Sequence, residues 1–417
     1  MKAICGIDFG TSNSTIAVVR GDETTLVPLE DGHTTLPSAI FYEADGATAI
    51  YGRAAIEAYT SGESGRLMRS LKSILGSELI TDKTAIGGRY ETFESILVGY
   101  IRHLKNKAEA FAGSRIDDVV MGRPVHFVDD DAAVDARAEA KLGEIAREAG
   151  FARVAFQFEP IAAALSFEHT LAREELVFIA DIGGGTADFS VVEVGPKRRT
   201  KRDRSGDILA NDGIRVGGTN LDMRLSMAAV MPHLGSKSKT KAGRDLPRWP
   251  FVDLATWHLI HTIATSKNMT TFREILADCA NPKAFERYVE VIRRNSGHAI
   301  AGRIEQAKID LSVNDTVDVD LRDVVNDFTV RATKKQFERA IAGELERLTG
   351  AAHATLATSN RTAADITTVF LTGGTSAVPA VKHLLAALLP KARAIEGDLF
   401  NSVGFGLALE AKRRFAR

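Results

Sequence analysis

FIADIGGGTADFSVVEV, residues 178 to 194, is the stretch on which the reading of the fold turns. A β-branched apolar run enters it and another leaves it, so two strands flank a turn in which Gly183, Gly184 and Gly185 stand between Asp181 and Asp188. Glycine permits positive φ and lets a ligand come against bare N–H groups, so such a tip can wrap a phosphate as a nest of donors. An aspartate at each end would repel a bare phosphate, which points to magnesium between them. A single glycine-rich hairpin is weak evidence for a nucleotide.

A second copy strengthens it. GIDFGTSNSTIAVV, residues 6 to 19, has the same order of apolar strand, aspartate, large apolar residue, glycine, small polar residues and apolar strand. Placing Asp8 on Asp181 also puts Gly10 on Gly183 and Thr15 on Asp188. Two such hairpins imply two related halves facing each other across a cleft.

Composition sets the bounds. At 417 residues with 45% hydrophobic content, the chain can bury a large core in about two domains. Lys+Arg at 53 against Asp+Glu at 54 leaves no overall field favouring nucleic acid or a membrane. Cys5, inside an expected strand, and Cys279, in a helical region, lack metal spacing and read as buried thiols of a reducing, cytoplasmic protein. The N-terminal MKAICGIDFG is too short an apolar run for a signal peptide, and nothing approaches the ~20 apolar residues of a membrane span.

Residues 22 to 52 read as short strands, and about Ala54 to Leu75 as a helix. In it, RLMRSLKSILG sets Leu67, Met68, Leu71, Ile74 and Leu75 on one face with Lys72 at the margin, equally consistent with a solvated lysine. Helices are expected over 92–111 and 129–150, with a strand and turn over 119–127 between them. A strand ending near Phe158 then meets Glu159-Pro160 and an apolar helix. Glu159 is either a carboxylate favoured by a helix N-terminus or one aimed at a cleft from a strand end. The six Lys or Arg within residues 197–204 lack interleaved aromatics and read as a solvated loop. Gly217-Gly218, between a strand and a helix, is another place for a backbone to approach a sugar or phosphate. His258 and His261 share a helical face without further ligands at metal spacing, so they read as a packed or surface pair. A helix over 297–312 carries Glu305, Lys308 and Ser312; strands near 316–331 and a helix from Lys334 to about Ala357 lead to a third glycine turn, Gly373-Gly374, and a last helix from Ser402.

GIDFGTSNS, FEPIAAAL, DIGGGTADFS, VGGTNLD and LTGGTSAVP, in this order and spacing, resemble the heat shock protein 70 (DnaK-like) branch of the actin and sugar-kinase superfamily, and within it the YegD-like group. The resemblance implies an α/β, actin-like ATPase fold of two ribonuclease H-like lobes, each with an inserted subdomain, and a nucleotide cleft between them. Lobe I would span residues 1–172, with core 1–33 and 115–172 and insertion 34–114. Lobe II would span 173–417, with core 173–212 and 315–400, insertion 213–314, and helix 401–417 returning toward lobe I.

The resemblance also assigns roles. Gly10, Thr11, Ser12 and Asn13 would hold the β-phosphate side of ATP or ADP, and Gly183, Gly184, Gly185 and Thr186 the γ-phosphate. Asp8 and Asp181, with Asp188 nearby, would order the water shell of Mg2+. Lys72 matches a catalytic lysine and Glu159 a carboxylate that positions the attacking water, so Lys72, Glu159, Asp181 and Thr186 form the expected catalytic group. Glu305 and Lys308 match ribose contacts, with Ser312, Gly373 and Gly374 around adenosine.

Three departures stand out. Two arginines that sandwich adenine in the family fall on Ile309 and Ala377, and an acidic residue of its closing turn falls on Phe400 or Asn401. With 417 residues there is also no expected room for the family's linker and peptide-binding domain. The expected function is a slow, Mg-dependent, chaperone-like ATPase: a monomer whose partners are ATP and a protein partner or client. The alternatives are an actin-like assembly protein gated by nucleotide, a small-molecule kinase and a non-hydrolysing nucleotide sensor.

Overall fold

The apolar runs on either side of the first glycine turn, Ile4–Phe9 and Asn13–Arg20, form an antiparallel pair buried on both faces, which is why they read as continuous apolar runs. Asp118–Arg123 joins Ile4–Phe9 in parallel, Arg153–Phe158 joins that strand in parallel, and Glu23–Leu26 lies antiparallel beyond Asn13–Arg20. The second sheet repeats this order and these directions around the central hairpin. Glu175–Ile182 pairs antiparallel with Ala187–Val194, which pairs antiparallel with Ile208–Ile214; on its other side it pairs in parallel with Thr368–Thr372, and that strand with Arg393–Glu396. The two related halves expected from the duplicated hairpin are therefore present as two mixed sheets of one topology in an α/β chain.

The computed structural model describes residues 3–61, 63–128, 131–168, 171–199, 201, 204–325, 328–396 and 401–416. It divides into two compact units, Met1–Val216 with Leu348–Ser376 and Val381–Arg417, and Gly217–Arg347 with Ala377–Ala380. Both sheets belong to the first.

Each sheet is followed by an equivalent helix, Glu159–Glu168 after Arg153–Phe158 and Ser402–Phe415 after Arg393–Glu396. These helices pack on each other, and small residues set their separation. A Cβ on Gly406 would run into the Ala162 carbonyl. The sequence EPIAAALSFE has little amphipathic character because it is covered nearly all round: Ile161, Ala162, Ala163 and Ala164 share one buried cluster with Ile4, Val120, Ile179, Leu407 and Ala411.

The second unit is helical, with Gly218–Ala229, Trp249–Ala255, Ser266–Asp278, Pro282–Arg293 and Gly297–Asp310 beside the hairpin Thr316–Asp320/Thr329–Thr333. Phe251, Phe272, Phe285 and Tyr288 form its aromatic centre, and the Tyr288 hydroxyl donates to the Pro250 carbonyl at 3.0 Å.

Several sequence expectations are corrected. The helix expected from Ala54 to Leu75 is helix Gly52–Thr60, strand Gly65–Arg69 and a 3-10 turn, Leu71–Ile74. The helical spacing of Leu67, Met68 and Leu71 yields to pairing of Gly65–Arg69 with Ala39–Glu43, and Ser70, at φ 55°, turns the chain out of the strand. The helix read from Lys334 to Ala357 is two, Lys334–Ala340 and Ala342–Thr358, broken at Ile341. The basic run is solvated at Lys197, Arg199 and Lys201 as read, but Arg198 and Arg204 are clamped. Arg204 bonds Glu168 at 2.8 Å and Asp207 at 2.5 Å, while Arg198 reaches Glu174, Glu193 and Asp207. Glu168 and Asp207 are buried carboxylates that need countercharges. Cys5 and Cys279 are buried free thiols, as read, and burial pushes the Cys5 thiol up. His258 is exposed, and the His261 side chain is outside what is described. Among the described residues, no helix is long and apolar enough to cross a membrane.

Gly406→Ala is expected to destabilise the protein by about 1–3 kcal/mol through overpacking. Gly350→Ala, in open space on an exposed face of helix Ala342–Thr358, should stabilise it by about 0.5–1 kcal/mol. Chemical denaturation of both variants checks the contrast, and equal midpoints would refute it.

Candidate functional site

The pairing registers match the alignment read from sequence. Asp8 stands opposite Thr15 in the first hairpin, and Asp181 opposite Asp188 in the central one. Residues directly opposite in a ladder project from the same face, so each hairpin carries an acid and its counterpart side by side. The neighbouring parallel strand sets Thr372 beside Asp181.

The two tips meet. A Cβ on Gly184 would collide with the Ser12 hydroxyl, and one on Gly185 would lie 3.4 Å from Thr11, so glycine is what lets the tips approach. Gly183 N–H donates to Thr186 O at 2.9 Å, Ser38 N–H to Ser12 O at 2.8 Å and the Ser38 hydroxyl to Gly10 O at 2.7 Å, which fixes both loops. They close on a cavity of about 90 Å³ lined by Asp8, Gly10 to Asn13, Thr15, Lys72, Glu159, Asp181, Gly183 to Thr186, Thr372, Gly373, Gly374 and Val403.

Lys72 reaches this cavity because the Ser70 turn and the following 3-10 turn direct it inward, and Glu159 because it opens helix Glu159–Glu168 at the end of a strand. Both are buried, and Lys72 Nζ donates to Glu159 Oε1 at 2.5 Å. Burial opposes charge on Lys72, but Glu159 and Asp8, the bond to Glu159 and Asp188 hold the ammonium above the usual lysine range. Burial and the Glu159 charge push the Asp8 carboxyl up to about 7 against the pull of Lys72. Burial and Glu159 also raise Asp188 to about 7, although Val125 N–H, at 3.0 Å, and the Thr186 hydroxyl stabilise its charged form. Asp181 is raised well above the carboxylate range by burial, then by Glu159, Asp188 and Asp8. Three aspartates and Glu159 thus stand around a single lysine.

Of the residues expected at the site, the structure gathers Asp8, Gly10, Thr11, Ser12, Asn13, Lys72, Glu159, Asp181, Gly183, Gly184, Gly185, Thr186, Gly373 and Gly374 at one cavity, with Asp188 buried behind Asp181. Gly217, Gly218, Glu305, Lys308 and Ser312 lie in the second unit. There Gly217 caps helix Gly218–Ala229, and Lys308 Nζ meets Asp222 at 2.9 Å. Ile309 is 53% exposed. Asn401 accepts from the Thr34 hydroxyl at 2.8 Å; Phe400 lies outside the described residues. Among the described residues no three His, Cys, Asp or Glu side chains are grouped to hold a metal directly.

The sequence reading missed Thr372 and Val403 as lining residues. Thr372 carries a signal in standing directly before Gly373-Gly374; Val403 carries none.

The profile of the family described as Hsp70 protein matches residues 4–247 and 291–412. This chain belongs to the Hsp70 family. It is similar to the Chaperone protein DnaK of Cenarchaeum symbiosum (strain A), with 26% identity over 422 aligned positions that cover 99% of this chain and 54% of that protein. The chain thus spans about half the length of the curated relative it matches. Membership of the Hsp70 family accords with the α/β architecture of two sheets of one topology.

The raised carboxyls set a pH dependence. A carboxyl whose folded pKa exceeds its unfolded value near 4 stabilises the fold at low pH and loses that contribution as pH rises through about 7. Asp8→Asn should therefore stabilise the ligand-free protein by roughly 1–2 kcal/mol at pH 8 and by nearly nothing at pH 4. Thermal melts across that range check it; a gain that is the same at both ends would contradict the assignment.

Proposed function

We propose that the cavity binds the phosphates of Mg·ATP and that the protein hydrolyses ATP slowly to ADP and phosphate, as the switch of a chaperone-like cycle. One observation carries this: two glycine tips, each with its own aspartate, meet beside a buried lysine–glutamate pair at one cavity. Family membership supports it. Phosphoryl transfer needs positioning and charge neutralisation more than covalent help, and these residues supply both.

Gly10 to Asn13 and Gly183 to Thr186 orient the phosphate chain, and Lys72 neutralises charge that develops on it. Glu159 holds Lys72 in place and orients the attacking water. The water oxygen bonds to the γ-phosphorus as the bond to the bridging oxygen breaks. Asp8 and Asp181, with Asp188 behind, suit Mg2+ held through its water shell: they are too dispersed to cage a bare ion, and burial leaves their charge in need of a cation. When bound, the ion supplies countercharge to the β- and γ-phosphates. Glu305, Lys308 and Ser312 are assigned to the nucleoside by the family resemblance. Ile309 and Ala377, where the family has arginines, remove stacking worth ~0.5–2 kcal/mol per contact and loosen the choice of base.

Lys72→Ala is expected to keep ATP affinity within a few-fold and lower phosphate release about 100-fold or more. Titration calorimetry and a phosphate-release assay measure the two, with circular dichroism to check the fold, since the substitution strands Glu159. Turnover at the parent rate would remove Lys72 from the mechanism.

A further inference from the structure

Two hydroxyls at the cavity have no place in the account above. Thr15 Oγ1 and Thr372 Oγ1 are buried, line the cavity and have no hydrogen-bond partner. An unpaired buried hydroxyl costs free energy, and native interiors rarely keep one without a use. Keeping two at one cavity, in corresponding surroundings, needs a reason.

Their placement supplies it. Thr15 stands opposite Asp8 in the antiparallel ladder, and Thr372 stands opposite Asp181 in the parallel one. Each aspartate therefore has a threonine beside it on the same face of its sheet. Asp188, which occupies in the second hairpin the place Thr15 has in the first, is already engaged by Val125 N–H. Thr15 is not engaged, whereas Ser14, on the opposite face of the strand, is bonded to Ser38. Thr15 also abuts the backbone of the closing helix, where a Cβ on Gly404 would strike its hydroxyl, so glycine at 404 is what makes room for the Thr15 oxygen.

Packing alone would favour valine, which has the shape of threonine and no hydroxyl to desolvate. We propose that Thr15 and Thr372 are positioning residues for the cation: their hydroxyls, covered in the ligand-free protein, turn about χ1 to accept hydrogen bonds from waters of its hydration shell beside Asp8 and Asp181. A hydrated divalent ion matches this set of oxygens: the cavity has carboxylates that want a cation, too dispersed to cage it bare, and neutral oxygens between them to orient its waters. The inference rests on the Mg·ATP reading and adds to it residues that touch the ion's waters rather than the nucleotide.

Thr15→Val, Thr372→Val and the double variant test it, with Thr15→Ser and Thr372→Ser as conservative controls. ATP affinity is titrated with saturating Mg2+ and again in chelator, and melting temperature is recorded without ligand. The double variant is expected to lose about tenfold in affinity with Mg2+, as outer-shell partners of metals typically do, and nothing in chelator. Both serine variants should retain the parent's magnesium dependence. The ligand-free valine variants should melt at or above the parent temperature, since an unpaired hydroxyl has been removed. An unchanged magnesium dependence in the double variant overturns the threonine assignment alone, as does an equal loss with and without Mg2+. A parent that binds ATP no better with Mg2+ than without overturns the Mg·ATP reading and this inference together.

Discussion

Four carboxylates share one lysine around one cavity. Burial and neighbouring charge hold the carboxyls of Asp8, Asp181 and Asp188 above the usual range, and Lys72 bonds to Glu159. The architecture around the cavity serves to keep these like charges in place. Two hairpins fix the aspartates by ladder pairing, and a helix start fixes the glutamate. Strand ends and helix starts are stiff supports, and a charge held by them cannot relax away from its neighbours.

The repeated sheet topology explains why such a site arises at this point in the molecule. Each half contributes a hairpin with a tip aspartate and a trailing helix, while Lys72 and Glu159 come from the first half alone. The helices Glu159–Glu168 and Ser402–Phe415 come together through Gly406 and Ala162, where any larger side chain would hold them apart. Glycine serves the tips in the same way at Gly184 and Ser12. Close approach at both places comes from side chains that are absent.

The sequence made much of this legible because the informative residues are local. The hairpins, the Glu159-Pro160 helix start and the Gly373-Gly374 turn each announce themselves within a few positions, and the Asp8–Thr15 and Asp181–Asp188 registers could be aligned without a structure. What failed depends on distant partners. The 66–75 stretch has helical spacing, but Gly65–Arg69 is a strand because an edge at Ala39–Glu43 is available to it, and no local pattern reports that edge. The basic run looked solvated because Glu168 and Asp207, which bury part of it, are ordinary acids in the sequence. Thr372 was overlooked because a threonine before a glycine turn is unremarkable until its hydroxyl is found without a partner.

The helix Ser402–Phe415 carries a further consequence, for biosynthesis. It covers one face of the strand Ile4–Phe9, and Leu407, Ala408 and Ala411 complete a cluster begun by Ile4, Ala17 and Val19. On a ribosome adding roughly 5–20 residues per second, that strand emerges tens of seconds before the helix that covers it. For that interval the nascent chain carries an apolar sheet face with no native cover, and contacts so distant in sequence form slowly. A member of a chaperone family thus exposes, while it is being made, the kind of apolar surface that invites aggregation.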